Sequence, residues 1–222
     1  ETGPSIYDLD KFAYRKVKKG AHTSSWLASQ KPYSVQLPDN FETYQKENET
    51  KAFLVMKGDE ILFEKYWGTH TEKTVSNSFS AAKTVVALLI GIAIEEGHIN
   101  SLDDSVGDYI PEFKGGDKGS ITIRDLLYMA SGLDWTESGK NPLSNNAESY
   151  YGTDLYGLVT RQKLITTPGE TFIYQSGNSQ LLGFIVEKAT GKDLTKYADE
   201  KIWKKIGASG DAYWSLDREG GN

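Results

Sequence analysis

The longest apolar run in the chain, Val85-Val86-Ala87-Leu88-Leu89-Ile90-Gly91-Ile92-Ala93-Ile94, has no polar face, which predicts a helix buried on all sides rather than an amphipathic surface helix. The helix spans about Ser80 to Glu96 and stops at Gly97, a residue suited to a left-handed C-terminal position. Lys83 and Glu95 bound the run, so it is too short to cross a bilayer. Upstream, Ala52-Phe53-Leu54-Val55-Met56 and Ile61-Leu62-Phe63-Glu64-Lys65-Tyr66-Trp67 flank Lys57-Gly58-Asp59-Glu60, two apolar and aromatic runs joined by a glycine-bearing turn that predict a β-hairpin. Downstream, a short helical turn covers Leu102 to Pro111, and Thr122 with Asp125 forms a capping-box pattern that opens a helix through Ala130, ended by Ser131-Gly132. Helices from about Asn178 to Ala189 and from Asp193 to Lys205 end at Gly191 and Gly207. Residues 134–152 are rich in Asn, Ser, Gly and Tyr and predict a long loop bordering a binding site. Residues 1–50 show no clear period and read as an irregular arm with one short helix near Tyr7 to Lys19.

Strands come first and helices follow, without the alternation that builds a parallel sheet, so the fold class is α+β. One hairpin does not make a stable sheet, and no second hairpin is evident before Asn222. Residues 51–222 therefore read as an incomplete domain, with residues 1–50 packed across it and Glu1-Thr2-Gly3 as a remnant of processing or expression. Composition removes several classes of activity. The balance of 25 basic and 31 acidic residues, with no dense basic run beyond Lys16-Val17-Lys18-Lys19, offers no nucleic-acid footprint. The absence of cysteine excludes disulfides, thiol nucleophiles and thiolate-bound metals, leaving a hydroxyl, carboxylate or amine as any nucleophile. His22, His70 and His98 stand in no metal-ligand spacing, and no Gly-rich phosphate loop or Gly-x-Ser-x-Gly elbow occurs, so no metal or cofactor is expected. Asn48-Glu49-Thr50 matches a glycosylation sequon, a triplet that is frequent by chance.

Against that background Ser80-Ala81-Ala82-Lys83 stands out. A hydroxyl and an amine three residues apart share one face of a helix, one turn apart. At the start of a buried helix the lysine would be desolvated, which favours its neutral, proton-accepting form. First-turn N–H groups lack helical partners and can stabilise an oxyanion on a carbonyl attacked by Ser80. The alternative is a serine cap beside a snorkelling lysine. A second stretch, Pro168-Gly169-Glu170-Thr171-Phe172-Ile173-Tyr174-Gln175-Ser176-Gly177-Asn178, sets a tyrosine just before a helix, where it could equally be a core aromatic.

Together these segments resemble the serine β-lactamase and penicillin-binding-protein superfamily, in particular its class C-like branch, whose first motif is Ser-x-x-Lys and whose second is Tyr-x-Asn after Pro-Gly. The likeness extends over the 57–60 hairpin, Phe79 to Thr84, Gly97 to Asp104, Leu126 to Trp135 and Pro168 to Lys192. It implies an antiparallel sheet flanked by helices plus a mainly helical subdomain. Tyr174-Gln175-Ser176 has serine where β-lactamases carry asparagine, which looks like esterases and amide hydrolases, and Leu133-Asp134-Trp135 and Gln180 to Gly183 look similar to the nylon-oligomer (aminohexanoate-dimer) hydrolase group. The third motif, Lys-Thr-Gly or His-x-Gly on a later strand, does not occur. The resemblance thus implies an amide or ester hydrolase with Ser80 as nucleophile, Lys83 and Tyr174 as proton carriers, and Ser176 holding Lys83 or substrate. Tyr150, Tyr151 and Trp135 are candidate cleft residues. A small-molecule amide or ester is the expected substrate, with a complementary C-terminal polypeptide as the expected partner, no cofactor, and a location outside the cytoplasm. A β-lactamase, a D-alanyl-D-alanine peptidase, and a catalytically silent fragment that binds its other half are the competing readings.

Overall fold

The structure, a computed structural model, describes residues 4–24, 26–28, 35–218 and 221. The segment Glu1-Thr2-Gly3 lies outside them. Where a helix was expected between Tyr7 and Lys19, the chain makes one 3-10 turn, Asp8–Lys11, and then a strand, β1 (Tyr14–Val17). The reason is tertiary: β1 pairs antiparallel with the last strand, β5 (Ala212–Ser215), from Tyr14 opposite Ser215 to Val17 opposite Ala212, and the pairing buries Val17. The first and last described segments thereby close on each other.

The short strand β2 (Leu27–Ala28) lies parallel to the later hairpin, and α1 (Phe41–Glu47) follows it. The hairpin forms as its apolar pattern predicts: β3 (Ala52–Lys57) and β4 (Glu60–Tyr66) pair antiparallel in a sheet ordered β2-β4-β3. Gly58 takes the left-handed conformation of the turn at φ 62°. Phe41 of α1 meets Phe53 and Phe63 edge-on at ring separations of 5.1 and 5.8 Å, so the sheet rests on its own aromatic cluster.

The main core lies between helices. After a 3-10 turn at Phe79–Ala81 comes α2 (Ala82–Glu95), which sinks Leu89, Ile90 and Ala93 to zero exposure. The outward face does not follow the expectation of burial all round. Leu88 is 54% exposed, Ala87 and Gly91 are open, and so is the first turn at Ser80. Apolarity on every face states what a helix tolerates; only the neighbours decide what is covered, and among the described residues α2 packs chiefly on α6.

Next, α3 (Ile123–Leu127) opens on a complete capping box, with Thr122 Oγ1 accepting from the Asp125 N–H at 3.2 Å and the Asp125 carboxylate accepting from the Thr122 N–H at 2.9 Å. It ends short of Ala130, because Met129 turns to φ 56°. The loop predicted over 134–152 contains a helix, α4 (Asn145–Tyr151), capped by Ser144, whose Oγ accepts from the Ala147 N–H. No apolar period announces it; the buried cap residue and the contacts with α5 (Leu155–Thr160) hold it. The central partner of α2 is α6 (Ser176–Thr190), which buries Leu181 and Ile185 and ends on Gly191 at φ 66°. Helix α7 (Leu194–Ala198) starts on Asp193, whose carboxylate accepts from the N–H groups of Thr195 and Lys196, and runs into a π-helical turn at Asp199–Trp203. The result is α+β: two small sheets around a mainly helical body.

Candidate active site

The start of α2 carries the candidate nucleophile. Phe79 adopts φ 45°, uncommon for a residue with a side chain, and its N–H is held by the Asn77 carboxamide oxygen at 2.9 Å. That turn puts Ser80 on the 3-10 segment, one turn before the Lys83 side chain. The Lys83 Nζ donates to Ser80 Oγ at 3.0 Å, the contact that the three-residue spacing predicts. For Lys83 to act as a base this direction must reverse, with the amine neutral and the serine hydroxyl donating. The pair is less enclosed than a buried helix start implies: Ser80 is exposed and Lys83 half-buried. Both line a cavity of about 1280 Å³ whose wall also includes Glu137, Tyr150, Ser176 and Trp214.

Tyr174 enters from an extended segment fastened to the end of α3. The Gly169 N–H donates to the Ala130 carbonyl and the Ile173 N–H to the Met129 carbonyl, each at 2.8 Å, while the Gln175 side chain donates to the Leu133 carbonyl at 2.7 Å. Buried Ser131 donates to the Asn178 side-chain oxygen at 2.7 Å. These bonds bring the Tyr174 ring to 5.2 Å from the Lys83 Nζ, centroid to nitrogen. Lys83 thus faces the Tyr174 ring, and the phenol hydroxyl makes no hydrogen bond with Ser80 or Lys83. Sequence motifs brought Ser80, Lys83 and Tyr174 into view, and the fold gathers them at one place.

Ser176 stands at the first position of α6. Its hydroxyl donates to Glu137 Oε1 at 2.6 Å, and its N–H donates to Glu137 Oε2 at 2.7 Å. Trp135 sits behind this pair. It is buried, does not line the cavity, and donates its indole N–H to Glu137 Oε2 at 2.7 Å. Tyr150 lines the cavity wall, but its hydroxyl is tied to the Asp8 carboxylate at 3.1 Å; burial first and that carboxylate second push the phenol up to about 12. Tyr151 is 65% exposed and touches Tyr150 edge-on. Sequence reasoning missed Glu137, Gln175 and Asn178 as structural partners of the site. Only the spacing of Gln175 and Asn178 within the Tyr174 segment could have flagged any of them, since Glu137 stands in no motif. Among the described residues no cluster of His, Asp and Glu could hold a metal ion, and no helix is long and apolar enough to cross a membrane.

Known proteins are similar to this chain in sequence and in fold. The family model described as Beta-lactamase matches residues 38–220. The 6-aminohexanoate-dimer hydrolase of Paenarthrobacter ureafaciens is 28% identical over 198 residues, covering 84% of this chain and 50% of the relative. A solved structure from Bacillus anthracis, provisionally named as a 6-aminohexanoate-dimer hydrolase, superposes with a TM-score of 0.84 at 22% identity, over 98% of this chain and 62% of the other. A class C beta-lactamase in complex with cefoxitin gives a TM-score of 0.57 at 21% identity, over 74% of this chain and 46% of the other; at such identities the two structures speak for the fold alone. The chain thus spans about half the length of the curated relative. Relatives of this kind are serine hydrolases, among them amidases, peptidases and β-lactamases. The family model covers most of the sequence, and the chain belongs to the beta-lactamase family.

Proposed function

We propose that the protein hydrolyses an amide or ester through an acyl-enzyme on Ser80. The observation that carries this reading is the 3.0 Å contact between Lys83 Nζ and Ser80 Oγ in the lining of the large cavity. In the proposed sequence neutral Lys83 takes the Ser80 proton as Oγ attacks the substrate carbonyl, and the negative charge moves to the carbonyl oxygen. The Ser80 N–H serves as one oxyanion donor; loss of such a donor typically costs on the order of a hundredfold in rate. Tyr174, beside Lys83, closes to return the proton to the departing amine or alcohol. Water then takes the same route in reverse and releases the acid.

A linear amide or ester is favoured over a β-lactam by Ser176, which stands where a carboxamide would offer a fixed donor and acceptor together. The proposal extends to a partner: polypeptide from the other half of the longer relatives completes the site. Its support is the length of those relatives and the uncovered apolar side of α2 at Ala87, Leu88 and Gly91. The test is labelling by a fluorophosphonate probe, with and without that polypeptide supplied. Labelling that is lost in Ser80→Ala supports the hydrolase; no labelling under either condition refutes it and leaves the silent, half-binding fragment as the better reading.

A further inference from the structure

We propose that Glu137 is a positioning residue that sets the hydrogen-bonding polarity of Ser176, so that the cleft reads an N–H donor on the substrate at this point. The inference rests on the hydrolase reading above and deepens it to substrate class. A serine hydroxyl has one proton and two lone pairs, and it can face a ligand as donor or acceptor. Here the choice is made by the protein. Glu137 Oε2 collects two fixed donors, the Ser176 N–H and the Trp135 indole N–H, each at 2.7 Å. Neither can be turned round. They seat the carboxylate, and its Oε1 then lies 2.6 Å from Ser176 Oγ. A carboxylate offers only lone pairs, so the hydroxyl proton points at Glu137 and the remaining Ser176 lone pairs are all that is left for the cavity it lines.

The seat itself is rigid. Trp135 is 6% exposed, and its ring lies so close to the Gly177 backbone that a methyl group there would meet it at 2.5 Å. Gln175, one residue before Ser176, is 3% exposed and bonded to the Leu133 carbonyl. Ser176 therefore has little freedom to reorient around a ligand. A substrate carbonyl or ether oxygen placed against it meets lone pair on lone pair, while an amide N–H or an ammonium finds an acceptor. The expected substrates carry an N–H on the acyl side, as in N-acylamino acid esters and amides.

The isosteric change Glu137→Gln gives a sharp test, because the two fixed N–H donors force the new amide oxygen to their side and turn its NH₂ toward Ser176 Oγ. The hydroxyl then accepts from Gln with one lone pair, which frees its proton beside the other lone pair and lets the cavity meet a donor as well as an acceptor. With the proposed C-terminal polypeptide supplied, kcat/KM is measured for the p-nitrophenyl esters of N-acetylglycine and N-acetylsarcosine, which differ by N–H against N-methyl. Affinities of the corresponding amides are measured by calorimetry in a Ser80→Ala background, where acyl transfer plays no part. The unaltered protein should prefer the N–H member by about tenfold, the net worth of one hydrogen bond. Glu137→Gln should weaken that preference severalfold with the melting temperature retained, and Ser176→Ala should abolish it. An N–H preference that is absent from the start, or that survives Glu137→Gln undiminished, overturns the assignment. Fluorophosphonate labelling of Ser80 in the same proteins reports separately on the nucleophile: labelling with no preference sinks the polarity argument alone, while a preference in the Ser80→Ala affinities without labelling sinks the hydrolase alone.

Discussion

Two glycine-to-alanine changes in the two central helices should move stability in opposite directions. Gly177 is the second residue of α6, and a Cβ built there would lie 2.5, 2.9 and 2.9 Å from three carbons of the Trp135 ring. The ring is buried and tied to Glu137, so it is not the free end of a flexible side chain. Alanine lowers the backbone entropy cost of a helix by about 0.5–1 kcal/mol, whereas overpacking a closed site costs about 1–3 kcal/mol. The clash wins, and Gly177→Ala should be destabilising by about 1–2 kcal/mol, a fall in Tm of roughly 2–8 °C for a domain of this size. Gly91 sits mid-way along α2 with nothing within 4 Å of an added methyl, so the entropy gain stands alone and Gly91→Ala should stabilise this chain by about 0.5–1 kcal/mol. Urea denaturation followed by circular dichroism reads both as shifts in midpoint at constant slope. A Gly177→Ala variant as stable as its parent would show that Trp135 yields freely, and the rigid seat argued for Glu137 and Ser176 would fall with it. Gly91→Ala with the proposed C-terminal polypeptide supplied adds a second reading: destabilisation there, against stabilisation without it, would place that polypeptide on the Leu88 side of α2.

Removing the Lys83 amine in Lys83→Met should suppress fluorophosphonate labelling of Ser80 by a hundredfold or more, on the order of the loss of a general base, and labelling at the parental rate would remove Lys83 from the mechanism. Thr122→Ala breaks the capping box of α3 and should cost about 1 kcal/mol by denaturation, with Thr122→Ser restoring it. Leu89→Ala in the α2 core should cost about 2–5 kcal/mol, whereas Leu88→Ala on the open side should stay within about 0.5 kcal/mol in this chain. Glu187 has its carboxyl pushed above the usual range, by burial first and by the Asp193 carboxylate, against the pull of its bond from the Leu194 N–H. The folded state therefore holds this proton more tightly than the unfolded chain, so stability declines as pH rises from the ordinary glutamate range through the raised value and levels off beyond it. Glu187→Gln should flatten that segment of the stability profile, and an unchanged profile in the variant would refute the assignment.

How far the sequence could be read depended on whether a signal was local. The hairpin, the capping box at Thr122 and Asp125, and the glycine stops at Gly97 and Gly191 are each decided by residues within a few positions of one another, and each forms. The same holds for Ser80 and Lys83, which one helical turn brings together. Strand β1 was not legible, because its hydrogen bonds go to β5, nearly the whole chain away, and nothing in Tyr14-Arg15-Lys16-Val17 states that partner. Helix α4 was hidden for a different reason: it lacks an apolar stripe and rests on the Ser144 cap and tertiary packing.

The Glu137 cluster marks the deeper boundary of such reading. The Tyr174 segment can be recognised from its Pro-Gly turn and helix start, and on that pattern Ser176 is a polar residue able to donate or accept. Which of the two it does is settled by a carboxylate 39 positions earlier in the chain, itself held by an indole N–H that the sequence suggested only as a cleft wall. A hydroxyl's chemistry is thus not a property of the motif that contains it. It belongs to the partner that takes its proton, and Ser176→Asn with Glu137 unchanged would separate the two contributions: the carboxamide can donate to Glu137 and present its oxygen to the cavity, keeping the acceptor character, while Ser176→Asn with Glu137→Gln frees that orientation. A selectivity for N–H substrates that persists in the first variant and disappears in the second would show that the carboxylate, and not the residue beside Tyr174, decides what the cleft accepts.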